Sequence, residues 1–175
     1  AAIQTHQLPA QLLHDLIDAF VQDIEKTRDR AGYADDAELL DYCRRSANPI
    51  GRLLLHLYGV EDAVSLQQSD AVCSALQLIN FWQDVGIDTA RGRLYLPLQW
   101  LREAGIEPDA WLRRPLFDAR IAAVVARLLA AADVLYQRAE HGIAQLPRDC
   151  RPAIHAARLV YAEIGRELER AGLDS

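Results

Sequence analysis

A chain of 175 residues, 51% hydrophobic and 25% charged, is long enough to bury its own core and reads as one globular domain over residues 1–175. A net charge of −6, with arginines scattered among acids, argues against a nucleic-acid partner. Cys43, Cys73 and Cys150 form no CxxC, which speaks against a disulfide framework or a zinc cluster and suits a reducing cytoplasm; no stretch reads as a membrane span or a signal peptide. The chain has no Met and opens on Ala1, and so reads as a piece of a longer protein.

Residues 8–28 read as a first helix. Pro9 suits its first turn, and Leu12, Leu13, Leu16, Ile17, Phe20 and Ile24 form its apolar stripe. Asp15, Asp18 and Asp23 are expected to face solvent. The polar, Gly32-containing stretch TRDRAGYADD reads as a loop, after which Asp35 or Asp36 caps a helix through Tyr42 and Cys43. Asn48-Pro49 should interrupt that helix, which resumes from Ile50 to Leu57 and ends at Gly59.

Ser69 and Asp70 then read as N-caps of an amphipathic helix. Along it Gln77, Asn80, Asp84 and Asp88 fall within about 80° of arc on one face. Pro97 stops this region. PLQWLREAGI reads as a short helix closed by Gly105, and Pro108 and Pro115 punctuate a loop. A long helix should run from Leu116 to about Ala144, with Ile121, Val125, Leu128, Ala132, Leu135, Ala139 and Ile143 as its stripe. Beyond Pro147, a last helix over about 150–171 carries Tyr161. No segment alternates like a strand, and no GxGxxG, P-loop, GxSxG or HExxH occurs. The fold class is therefore all-α, with helices packed around a central cavity.

The polar stripe is the one stretch whose chemistry exceeds its structural use. Asp84 and Asp88 are a like-charge i,i+4 pair, which costs a few tenths of a kcal/mol, and they fall where the helix dipole prefers a cation. Mg²⁺, a hard ion that takes carboxylate and phosphate oxygens, would offset both costs. Arg91 and Arg93 follow at once, and their planar forks match phosphate. Each part has a plainer reading: a solvated acidic face, or arginines paired with those acids. Arg45 and Arg52 either reach phosphate or form ion pairs. Tyr42 is either a core tyrosine or a residue of the site.

QLINFWQDVGIDTARGRLYLP, residues 77–97, resembles the second aspartate-rich motif of the squalene/phytoene synthase family. YCRRSANPIG, residues 42–51, resembles that family's other signature, and its Ser-Ala-Asn-Pro form is most similar to the bacterial hopanoid branch that makes squalene or hydroxysqualene. The resemblance implies the isoprenoid-synthase fold. It implies head-to-head joining of two prenyl diphosphates, usually farnesyl diphosphate, by Mg²⁺-assisted loss of diphosphate, or, in the hydroxysqualene branch, ionisation of presqualene diphosphate with capture of the cation by water. It places Asp84 and Asp88 on the metal with Asn80 assisting, Gln77 and Arg93 on the diphosphate or its metal, Tyr161 near the site and Tyr42 beside the reacting carbons; Arg91 and Arg45 are further candidates for binding substrate on their chemistry alone.

Gln83 and Ile87 depart from the Arg and Glu common in the family. No first DxxxD motif lies upstream, so the chain resembles a family member truncated at both ends, and by itself it is expected to be inactive. A phytoene-type synthase, or a non-catalytic helical binding or assembly module of the same fold, are the alternatives. Contact with a membrane surface and homodimerisation stay open.

Overall fold

The computed structural model describes residues 2–143. Among the described residues there is no strand. The elements are α1 (Ala2–Thr5), α2 (Ala10–Asp29), α3 (Asp36–Ser46), α4 (Asn48–Leu57), α5 (Ala63–Gln83), α6 (Val85–Ala90), α7 (Leu98–Glu103), α8 (Pro108–Arg113) and α9 (Ala119–Ile143). The helix expected over about 150–171, with Cys150 and Tyr161, lies outside the described residues.

α5 is the central element. Val72, Ala75, Ile79 and Trp82 are buried on one side and Ser74, Leu78 and Phe81 on the next, so about half of its circumference is covered. Its most extensive partner is α9, followed by α4 and α3. The expected stripe of α9 is the one that packs: Ile121, Val125, Leu128, Ala132 and Ala139 are all buried. α9 starts where Asp118 accepts hydrogen bonds from the N–H groups of Arg120 and Ile121, at 2.9 and 3.3 Å.

Several boundaries differ from the sequence reading. α5 begins at Ala63, because Asp62 accepts from the Ser65 N–H at 2.9 Å and caps the helix. Asp70, read as a cap, lies inside the helix and takes both arms of Arg52 at 2.9 and 2.6 Å. The break between α3 and α4 falls at Ala47 (φ −119°, ψ −48°), which puts Pro49 in the first turn of α4, where its missing N–H costs nothing. Asn48 is buried and accepts a hydrogen bond from Ser74 Oγ at 2.9 Å, tying the start of α4 to α5. The Pro108 stretch, read as loop, forms the short helix α8, with the proline in its first turn.

The turn between α2 and α3 is held by charge. Asp35 accepts from the Glu38 N–H at 2.8 Å, and Glu38 in turn accepts from the Ala34 N–H at 2.6 Å. Lys26 on α2 pairs with Glu38 at 2.8 Å, donates to the Gly32 carbonyl at 2.7 Å and sits over the Tyr33 ring. Tyr33, although in a loop, is thereby buried against Tyr42.

On α2 the apolar stripe is only half used. Leu12, Leu13 and Leu16 are half-buried and Ala19 is buried, whereas Ile17, Phe20, Val21 and Ile24 are exposed, since no described element covers that side. No helix among the described residues is long and apolar enough to cross a membrane.

At Gly51, α4 passes close to α5. A Cβ there would meet Ser69 Oγ at 2.3 Å and Cys73 Sγ at 2.6 Å, two short side chains with little room to yield. Gly51→Ala should therefore destabilise by about 1–3 kcal/mol, and Gly51→Val by more. Thermal melts should show the midpoint falling by about 2–4 °C for each kcal/mol. An unchanged midpoint in both variants would mean that α4 and α5 are not in contact there.

Candidate functional site

Asp84 ends α5 and opens α6. Its own conformation (φ −96°, ψ 6°) is not helical, so the continuous helix read through Asp88 is broken at this residue. The i,i+4 geometry nevertheless survives, because the Asp88 N–H bonds to the Asp84 carbonyl at 2.7 Å. α6 then closes with a glycine cap. Gly92 takes φ +78°, its N–H bonds to the Thr89 carbonyl at 3.0 Å, and the Arg93 N–H bonds to the Asp88 carbonyl at 2.8 Å. This turn brings the Arg93 side chain back beside Asp88. The motif ARGR thus has a conformational reason: the glycine between the arginines reverses the chain at the acids.

Around that turn the side chains converge from three elements. Arg93 Nη2 lies 3.2 Å from Asp23 Oδ2 of α2, and Arg93 Nη1 lies 3.9 Å from Asp88 Oδ1. The Tyr95 hydroxyl donates to Asp23 Oδ1, and the Tyr42 ring packs against Tyr95. Tyr95 stacks on Phe81 of α5 with ring centroids 4.1 Å apart, and Tyr42 of α3 lies 6.0 Å from Phe81 and 6.1 Å from Tyr95. Asp23 is not solvent-facing, as the sequence reading had it; its side chain is 17% exposed and linked to two residues of the motif.

Burial raises the Asp88 carboxyl above its usual range, and the Asp84 charge adds to this, while Arg93 and Arg91 oppose it. Burial pushes the Tyr42 hydroxyl up to about 12, with the Asp23 charge as the next cause. Tyr95 is raised as well, by burial and then by donating to Asp23.

The other residues singled out in the sequence are placed as follows. Asn80 is exposed and donates to Asp84 Oδ2 at 3.0 Å; Gln77 is half-buried one turn further back on α5. Arg91 is exposed at the end of α6. Arg45 is not brought to this cluster; it is spent on Asp41 at 2.9 Å and on Gln22. Tyr161 lies outside the described residues. A cleft of about 410 Å³ opens beside the turn, lined by Thr89, Ala90 and Gly92 with Arg30 and Arg113 opposite.

The donor set suits a hard dication in part. Two carboxylates with mutual repulsion and a nearby amide are what such an ion relieves. No set of three or more His, Cys, Asp or Glu positioned to hold a metal occurs among the described residues, so Asp84 and Asp88 would fill only part of its coordination shell. Asp23 and Tyr95 were absent from the residues singled out in the sequence. A signal existed for Asp23, which follows Leu12, Leu16 and Ala19 at helical spacing on the buried row of α2.

The chain is 39% identical over 175 residues to a phytoene synthase of Cereibacter sphaeroides, covering all of this chain and 48% of that protein. It is 34% identical over 168 residues to a phytoene synthase of Pseudescherichia vulneris, covering 96% of this chain and 53% of that protein. The chain thus spans about half the length of these curated relatives. Among solved structures, squalene synthase HpnC from Alicyclobacillus acidocaldarius superposes with a TM-score of 0.88 at 31% identity, over 97% of this chain and 63% of that one. A dehydrosqualene synthase, with a TM-score of 0.76 at 24% identity over 90% of this chain and 54% of that one, shares the fold. The squalene/phytoene synthase family model matches residues 1–174, and the chain belongs to that family.

Proposed function

We propose that this chain carries the diphosphate-binding half of a prenyl-diphosphate coupling site, of the squalene or phytoene type. The observation that carries the reading is the convergence of Asp88, Arg93 and the Tyr95–Phe81–Tyr42 rings at one turn. Acids for a cation, a guanidinium for phosphate and an aromatic wall are the three things that ionisation of an allylic diphosphate needs.

Asp84 and Asp88 would hold Mg²⁺, with Asn80 orienting Asp84 through its amide. When bound, the ion supplies Lewis-acid stabilisation of the departing diphosphate. Arg93 and the exposed Arg91 donate to phosphate oxygens, and the Gln77 amide adds a further polar contact on the same face. The rings of Tyr42, Phe81 and Tyr95 present π faces that favour positive charge on carbon. Burial keeps the tyrosine hydroxyls protonated, so these rings stay neutral throughout the physiological range.

The curated relatives favour the phytoene type, and the solved structure at 31% identity favours the squalene type. Mass spectrometry of products from farnesyl diphosphate, presqualene diphosphate and the next longer prenyl diphosphate separates them. A second reading, a non-catalytic helical module, is favoured by the exposed apolar face of α2 and needs no diphosphate affinity.

Isothermal titration should show inorganic pyrophosphate binding to the chain with Mg²⁺ and not without it. Asp88→Asn and Asp84→Asn should each weaken that binding by about tenfold or more while the melting midpoint holds. Binding that is independent of Mg²⁺, or absent, would remove the coupling-site reading and leave the module. In the gene product, Tyr42→Phe should change rate or product ratio with the near-ultraviolet dichroism of the fold retained; unchanged catalysis would reduce Tyr42 to packing.

A further inference from the structure

We infer that Asp23 is a positioning residue of this site, the anchor that fixes Arg93 and Tyr95 in place beside Asp88. The inference rests on the diphosphate reading for its functional meaning but stands on contacts of its own. Asp23 comes from α2, remote in sequence from the motif, and both of its oxygens are committed. Oδ1 accepts the Tyr95 hydroxyl proton, and Oδ2 lies 3.2 Å from Arg93 Nη2. Asp88 lies further away, with 3.9 Å between its Oδ1 and Arg93 Nη1, beyond hydrogen-bond range. Of the two acids flanking the guanidinium, Asp23 is therefore the one that holds it.

This asymmetry has a use. An arginine shared equally by two acids would move when a cation claimed one of them. Here a cation on Asp88 would remove only the longer contact, and Arg93 would keep its place. Arg93 Nε is buried without a hydrogen-bond partner among the described residues, so the fork is fixed at Nη2 and shielded at Nε, which leaves Nη1, 3.9 Å from Asp88, as the donor for phosphate oxygens. Through Tyr95, which stacks on Phe81 and packs against Tyr42, the same carboxylate ties the phosphate-facing arginine to the aromatic wall. With both oxygens occupied, Asp23 is a poor metal ligand and a good scaffold.

The test compares Asp23→Asn with wild type and with Asp18→Asn, an exposed acid on the same helix. Two readouts are used. The first is affinity for inorganic pyrophosphate at saturating Mg²⁺. Asp23→Asn should lose about tenfold, Asp18→Asn nothing, and Asp23→Asn combined with Arg93→Ala no more than Arg93→Ala alone. The second is the Arg93 Nε–H resonance, which needs no ligand. It should exchange slowly with solvent in wild type and measurably faster in Asp23→Asn.

Additive losses from Asp23→Asn and Arg93→Ala, or an Asp23→Asn variant unchanged in both readouts, would overturn the inference. If wild type binds no pyrophosphate, the diphosphate reading falls and the Arg93 resonance alone decides the anchoring role. If Asp23→Asn does not fold, Tyr95→Phe removes one arm of the anchor. It should then lower pyrophosphate affinity by about threefold and speed the Arg93 exchange, and no change in either would likewise overturn the inference.

Discussion

The structure depends on the division of α5 between a buried half and a polar face. Val72 to Trp82 fill the space between α9, α4 and α3, and this burial fixes the rotation of the helix about its axis. Once the rotation is fixed, Gln77, Asn80 and Asp84 have no choice of direction: they lie on the uncovered side. Burial of one α5 residue, Phe81, also sets where Tyr95 can stack. The chemistry of the turn after α5 is thus anchored by the hydrophobic core and does not depend on loop conformation alone.

Much of the helical order was legible, because apolar period and caps act locally. The stripe of α9 packs as its spacing says, and the break near Pro49 is where a missing N–H demands one. What was not legible is competition between equally good signals. Asp62 and Ser69 are both credible caps, and Asp62 prevails because its side chain satisfies Ser65 N–H at an end with no earlier turn. On α2 two rows run side by side, Leu12–Leu16–Ala19–Asp23 and Leu13–Ile17–Phe20–Ile24, at identical spacing. The sequence reading merged both into one apolar stripe, yet only the first is turned inward along its length, half-buried at Leu12, Leu16 and Asp23 and buried at Ala19, with Tyr95 and Arg93 as partners for the acid. A charge inside a buried row is legible only when its partners, some seventy residues away, are known.

The motif around Asp84 and Asp88 was readable as chemistry before it was readable as geometry. Residue types at fixed spacing pointed to a cation and phosphate, and the continuous helix drawn through them was wrong at one residue, Asp84. The break preserves what mattered, since the 84–88 hydrogen bond keeps the carboxylates one turn apart. It also shortens α6, so the Gly92 cap falls soon enough to return Arg93 to Asp88. Arg45 shows the opposite case. Its place in a signature invited a role with substrate, but Asp41 four residues earlier and Gln22 on α2 claim its donors.

Charge balance gives the proposed site an order of events. Asp23, Asp84 and Asp88 face Arg91 and Arg93, which leaves the cluster with one net negative charge. A pyrophosphate group approaching that field is repelled, and the arginines cannot compensate while Asp23 neutralises one of them at close range. A dication reverses the sign locally, and the same guanidinium then adds attraction to a field that already favours the anion. On the proposed reading, the cation precedes or accompanies the diphosphate, and the acids at the turn gate substrate entry as well as holding the ion. The burial that raises the Asp88 carboxyl serves the same end: a carboxylate strained in its ionised form gains most when a cation arrives.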